Sequence, residues 1–212
     1  MTPEAFIEAN TTLMRDPFVP EIALHLATEI TPIWQATEAW LEAHGVAPPF
    51  WAFAWPGGLA LARLLLDEPA RVHGLAVLDF ASGCGIGAIA AAMAGASVEA
   101  CEIDPLAVAA TRLNAARNGV AVAALQADLV GAPCRWDVIL AGDICYEAPM
   151  AARILPWLRA MAGQGAVVLL ADPGRAYFSA TGLEVVTRFT VPTSRELEDR
   201  DSRGVVIARI PA

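Results

Sequence analysis

Hydrophobic positions fall into two regimes along the chain. Before residue 48, Ile22, Leu24, Leu26, Ile30, Ile33, Trp34, Trp40 and Leu41 recur at roughly helical spacing, with Pro20 and Pro32 as breakers and Gly45 as a stop. Residues 3–45 therefore read as helical, and residues 1–47 as a cap on the remainder of the chain. From residue 59 the pattern becomes short apolar runs alternating with longer amphipathic ones. Leu59–Leu66 is expected to be helical, and strands are expected over Leu75–Phe80, Ser97–Cys101, Val120–Leu125, Asp137–Ala141 and Ala166–Ala171. Helices fall between them over Ala88–Ala94, Pro105–Asn118 and Pro149–Met161, the second with Asp104 as N-cap and proline as its first helical residue. Such alternation calls for a parallel sheet with helices on both faces. The last two strands, Glu184–Val191 and Val205–Ile210, are joined by the polar stretch Pro192–Gly204 without a helical crossover, which predicts an antiparallel pair at the sheet edge.

Parallel crossovers ending in that hairpin resemble the Rossmann-like, seven-strand sheet of class I methyltransferases more than the six parallel strands of a nicotinamide-dinucleotide domain. The expected fold is α/β, with residues 48–212 as a methyltransferase domain and the N-terminal helical cap packed on it as one unit. The turn Asp79-Phe80-Ala81-Ser82-Gly83-Cys84-Gly85-Ile86-Gly87 does not decide between these folds. Glycines after a strand let backbone amides approach a ligand, but Gly83, Gly85 and Ala88 also satisfy G-x-G-x-x-A, with Glu102 at the distance of a ribose-binding acid. An NAD-dependent oxidoreductase is thus the competing class. Asp79 tilts the balance, because a carboxylate there suits an amino group better than a pyrophosphate and matches the acid that supports the methionine end of S-adenosylmethionine. Asp128, in Gln126-Ala127-Asp128-Leu129, stands where methyltransferases place an acid beside the adenine amino group. Candidate cofactor-binding residues are Asp79, Ser82, Gly83, Gly85, Glu102, Ile103 and Asp128, while Asp104 is read as a helix cap.

An acceptor site is expected just beyond the fourth strand, at Gly142-Asp143-Ile144-Cys145-Tyr146. This is not the Asn/Asp-Pro-Pro-Tyr tetrapeptide that serves planar amides, and an anionic Asp143 suits a cationic amine. Lysine at pH 7.4 is only about one part in a thousand neutral, a deficit of roughly 4 kcal/mol for a reaction that needs the free lone pair. Asp143 is assigned to capture and alignment, with proton loss to solvent or through Asp143, and Tyr146 to the slot that orients the nitrogen. Asp172-Pro173-Gly174-Arg175 reads as a turn at the substrate rim, with Arg175 free to pair with an acid of a partner. Four large aromatics between Phe50 and Trp55 must be covered or must cover something.

Composition narrows the partner. A net charge of −9 and a pI near 4.7 argue against a nucleic-acid substrate. All fourteen cationic residues are Arg. The cysteines Cys84, Cys101, Cys134 and Cys145 lack metal or disulfide spacing, and a reducing cytoplasm is the simplest compartment. Neither a signal peptide nor a membrane span is legible. His25, His44 and His73 lie beside no nucleophile and read as surface or packing residues.

Taken together, Pro49–Gly58, the glycine turn, Glu102-Ile103-Asp104-Pro105, Asn114-Ala115-Ala116-Arg117-Asn118, Gly142–Tyr146, Asp172–Arg175 and Pro192–Asp199 resemble the bacterial branch of the electron transfer flavoprotein β-subunit lysine methyltransferase family over nearly the whole chain. The resemblance implies lysine methylation of that β-subunit, with a ribosomal stalk protein as a further target; a monomer is the expected state. It carries over Asp143 and Tyr146 as a D-x-x-Y acceptor motif and Trp55 as a cofactor-side aromatic. Glu102 stands where Asp is common, and Cys145 replaces a usual aromatic, which leaves acceptor width and product multiplicity open. Some relatives are labelled nicotinamide N-methyltransferases, so a small-molecule acceptor is the alternative. A non-catalytic cofactor-binding protein is a third reading, against which both Asp143 and Tyr146 are present.

Overall fold

The computed structural model of the chain describes residues 1–28 and 48–212. Its centre is a sheet of seven strands, β3 (Ala76–Phe80), β4 (Ser97–Glu102), β5 (Ala123–Gln126), β6 (Val138–Gly142), β7 (Val167–Asp172), β8 (Glu184–Pro192) and β9 (Ser202–Ile210), in the spatial order β5-β4-β3-β6-β7-β9-β8. The neighbours from β5 through β7 run parallel. β9 enters antiparallel between β7 and β8, so the edge hairpin is present as the missing crossover predicts.

Along the central strands successive side chains enter opposite layers, as a period of two requires. Val77, Val138, Leu140 and Leu169 join one apolar cluster with Leu59 to Leu65 of α2 (Pro56–Asp67) and Ile86 and Ile89 of α3 (Ile86–Met93). Leu78, Ile139, Val168 and Leu170 join the other, with Ile154, Trp157, Leu158 and Met161 of α5 (Ala148–Gly163). α4 (Pro105–Arg117) starts as its sequence announces, with the Asp104 carboxylate accepting from the Leu106 amide at 2.8 Å. β5 begins at Ala123 rather than Val120, because the Val120 amide still donates to Ala115 at the end of α4.

The N-terminal expectation needs correction. Only α1 (Pro3–Asn10) is helical among the described residues of that stretch, and Thr12–Asp16 and Val19–Leu26 form an antiparallel hairpin, β1 and β2. Pro17 and Pro20 disfavour a helix interior here, and the Asp16 carboxylate turns the chain by accepting from the Phe18 amide at 2.7 Å. Ile22 through Leu26 are all buried, which hides the strand's alternation. The predicted positions from Ile30 to Gly45 lie outside the described residues. α4 supplies what the open edge of β2 lacks. Asn118 both accepts from the Ala23 amide and donates to its carbonyl, at 2.8 and 2.7 Å, while Asn114 joins the His25 amide to the Cys84 carbonyl. The Asn114–Asn118 motif thus ties the hairpin to the glycine turn.

Among the described residues no helix is long and apolar enough to cross a membrane.

Candidate active site

β3 and β6 are parallel neighbours whose chains leave in opposite directions across the sheet, toward β4 and toward β7. The crevice outside their carboxyl ends is where open α/β sheets bind ligands. A cleft opens there, with Asp79, Ser82 and Gly83 on the β3 side, Gly142 and Asp143 on the β6 side, and an apolar wall of Phe53, Trp55, Leu61 and Ile86. Of the residues singled out in the sequence, Trp55, Asp79, Ser82, Gly83 and Asp143 meet in this one space.

The glycines of the turn have different tasks. Gly83, at φ +54°, has nothing within 4 Å of where a β-carbon would stand, so its backbone faces free space. Gly85, at φ +82°, is packed from below, and a β-carbon would meet Thr111 Cγ2 at 2.9 Å. Gly87 makes room for Asp79, whose oxygens would lie 3.0 Å from an added β-carbon, and the Asp79 carboxylate accepts from the Ala88 amide at 2.7 Å. Burial pushes the Asp79 carboxyl up to about 7, the Ala88 hydrogen bond opposes it and the charge of Glu102 adds to it. Glu102 accepts from the Gly83 amide at 2.9 Å and from the Ile103 amide at 3.1 Å, and it too is raised by burial.

Asp143 adopts φ +55° at the end of β6, which turns its carboxylate onto the start of α2. Oδ2 accepts from the amides of Gly57 and Gly58 at 2.6 and 3.2 Å, while Oδ1 accepts from Arg175 at 3.1 Å. Amides at a helix N-terminus carry the positive end of the helix dipole, so they favour the anion. Burial nevertheless wins and lifts the carboxyl to about 6, against the lowering by Arg175. The other candidates stand further out. Tyr146 is half-exposed, its ring 5.6 Å from Phe50, which in turn meets Trp55 at 6.2 Å. Ile103 is exposed, and Asp128 is ion-paired with Arg153 of α5 at the surface.

Known proteins share both the sequence and the fold around this cleft. The family described as ribosomal protein L11 methyltransferase matches residues 61–155. The electron transfer flavoprotein beta subunit lysine methyltransferase of Xenopus laevis is 44% identical over 183 residues, spanning 84% of this chain and 73% of that one. The human protein of the same name is 38% identical over 85% of this chain and 70% of its own length. This chain belongs to that lysine methyltransferase family. Solved structures agree in fold: the ribosomal protein L11 methylase of Lactobacillus delbrueckii subsp. bulgaricus superposes with a TM-score of 0.52 at 24% identity, over 74% of this chain and 80% of that one. Trm5b of Pyrococcus abyssi does so with a TM-score of 0.59 at 17% identity, over 96% and 56%.

As a member of this methyltransferase family the chain is an S-adenosylmethionine-dependent enzyme, and the cleft fits that cofactor. It offers open space over Gly83, an apolar wall for an uncharged ring, and buried carboxylates whose desolvation a bound cation would relieve.

Two parts of the site are absent from the sequence-based expectation. The glycines of Pro56-Gly57-Gly58 hold Asp143, and their signal was only their place beside the aromatic loop. Glu198, 3% exposed, accepts from Arg175 at 2.5 and 3.1 Å and from Arg203 at 2.9 Å, which turns a polar link into part of the interior. Arg175 therefore faces internal acids rather than a partner's, although Asp172 does form the expected turn by accepting from the Gly174 and Arg175 amides at 2.7 and 2.6 Å.

Proposed function

We propose that this enzyme methylates a lysine side-chain amine of a protein, the electron transfer flavoprotein β-subunit first, with a ribosomal stalk protein as a second target. The observation that carries the reading is Asp143, an anion placed at the same crevice as the glycine turn in a chain whose relatives bear that name. We assign Trp55, Asp79, Ser82, Gly83, Gly85, Glu102, Ile103 and Asp128 to the cofactor, and Asp143 and Tyr146 to the acceptor. Residues 1–47 act as a cap on the domain of residues 48–212, supported by the share of β2 in the main core.

S-adenosylmethionine, when bound, would supply a methyl group activated by a sulfonium, from which the neutral thioether departs. Asp79 and Glu102 offer carboxylates to its amino and ribose ends, and Asp128 exchanges Arg153 for the adenine amino group. Asp143 presents the remaining lone pair of Oδ1 to the incoming ammonium, because Oδ2 is already committed to Gly57 and Gly58. Trp55, Phe50 and Tyr146 desolvate the amine and favour its neutral form. At about 6, Asp143 also accepts a proton more readily than an ordinary carboxylate. A net charge of −9 and this anionic acceptor support a protein substrate over nucleic acid, met by a monomer.

The test is incubation with labelled cofactor and recombinant β-subunit, followed by mass spectrometry of the substrate. Because the chain contains no Lys, any methyl-lysine detected comes from another polypeptide. Transfer to nicotinamide and to no protein would decide for a small-molecule acceptor.

A further inference from the structure

Arg175, partly buried, and Glu198, fully buried, are charges that neither the cofactor nor the acceptor directly requires. Resting on the assignment of Asp143 to the acceptor, we propose that Arg175, clamped by Glu198 from the link between the edge strands, is a positioning residue that fixes the Asp143 carboxylate and keeps it charged. The geometry is a chain of contacts. Glu198, its side chain 1% exposed, is bonded through both oxygens to Arg175 and through one of them to Arg203. Arg203 also donates to the Glu198 carbonyl at 3.0 Å. The guanidinium is thereby set between two carboxylates and 5.4 Å from the centre of the Trp55 ring. Its Nε is buried without a partner, so the terminal nitrogens alone define its direction.

Several groups face Asp143. α2 presents the amides of Gly57 and Gly58, and β7 with its turn presents Asp172 and Arg175, while Cys145 lies two residues further along its own segment. Among these Arg175 carries the only full positive charge. It opposes both desolvation and the anionic Asp172, so its loss would leave Asp143 with amides alone against two effects that favour protonation. The five charges Asp143, Asp172, Glu198, Arg175 and Arg203 sum to one negative, which leaves room for an incoming ammonium while Arg175 stays in place. Buried ion networks contribute little net stability, which favours a positional role.

The test follows the Asp143 carboxyl carbon by NMR across pH 5–9 in the parent, Arg175→Lys, Arg175→Met and Glu198→Gln proteins, with Asp143→Asn identifying the signal. The midpoint should rise by about one unit or more in Arg175→Met, by less in Glu198→Gln, and least in Arg175→Lys. Cofactor binding, measured alongside, shows that each variant is folded. In turnover on the β-subunit, Arg175→Met should lose activity at pH 7 and regain most of it at pH 8.5, a profile that a packing defect would not produce. An unmoved midpoint in folded Arg175→Met overturns the proposal. Full activity of Asp143→Asn instead overturns the acceptor reading on which it rests.

Discussion

A β-carbon on Gly57 would stand 2.5 Å from Asp143 Oδ2, 2.7 Å from the Ala171 carbonyl and 2.9 Å from the Asp143 amide. Two of these three neighbours are backbone, so no side-chain rotation relieves the crowding. The start of α2 is pressed onto the ends of β6 and β7 because only there can its amides hold the Asp143 carboxylate. Gly57→Ala is expected to cost about 1–3 kcal/mol of stability, the usual range for overpacking, and to reduce turnover more than tenfold in whatever fraction remains folded. Thermal melting and single-turnover methyl transfer measure the two effects. Parent-like values in both would show that the α2 contact is dispensable.

Asp143→Asn keeps the shape and an oxygen for the Gly57 and Gly58 amides while removing the charge. Hydrogen bonds to charged groups contribute about 1.5–3 kcal/mol, so transfer to a lysine should fall by roughly 10- to 100-fold. Cofactor affinity should change only severalfold. Stopped-quench transfer and equilibrium titration with S-adenosylhomocysteine separate the two, and equal loss in both would mean that Asp143 serves the cofactor.

What was legible in the sequence tracked the range of the forces involved. β3, the glycine turn and α3 are contiguous, and their apolar run, left-handed glycines and helix start are local effects. The edge hairpin was legible for the same reason, since a polar link of that kind cannot form a crossover helix. β2 was misread because the burial of Ile22 through Leu26 removed the alternation that separates a strand from a helix, and β1, exposed along most of its length, has no buried face to announce it. Glu198 could not be found by spacing. It lies 55 residues from Asp143 in sequence, and the arginine between them joins the two only through tertiary folding. Asp128 matched a positional pattern, yet its surface partner Arg153 becomes visible only when α5 packs on the sheet against β7 and β9.

The buried Asp79 should make the cofactor-free protein less stable as pH rises toward neutrality. Its carboxyl is raised to about 7, chiefly by burial, while in the unfolded chain it titrates near 3.9. Between those values the folded state holds a proton that the unfolded state has lost, so stability falls as pH rises from about 4 to about 7. Asp79→Asn retains an acceptor for the Ala88 amide and removes this ionisation. The apo variant should therefore match the parent at pH 4.5 and exceed it at pH 8 by an amount on the order of a few kcal/mol. Its affinity for cofactor should drop at the same time. Melting curves at the two pH values test the linkage, and a gap that does not widen with pH would rule it out.

The contrast between Gly83 and Gly85 gives a sharper test of which glycine serves the fold and which serves the ligand. Both have positive φ, where a β-carbon costs roughly 1–2 kcal/mol. Ala81 already occupies φ +55° in the same turn, so the fold tolerates one such side chain. Gly83→Ala adds a methyl group to open space and should fold with only that backbone cost, while the methyl obstructs the approach of the cofactor and weakens its binding at least tenfold. Gly85→Ala adds the same strain and also drives a methyl group against Thr111, with three atoms between 2.9 and 3.1 Å. It should lose much of its folded population before any ligand is added. Hydrogen exchange of the turn amides, compared with calorimetric cofactor binding, distinguishes the two, and a Gly83→Ala protein that binds cofactor like the parent would remove Gly83 from the site.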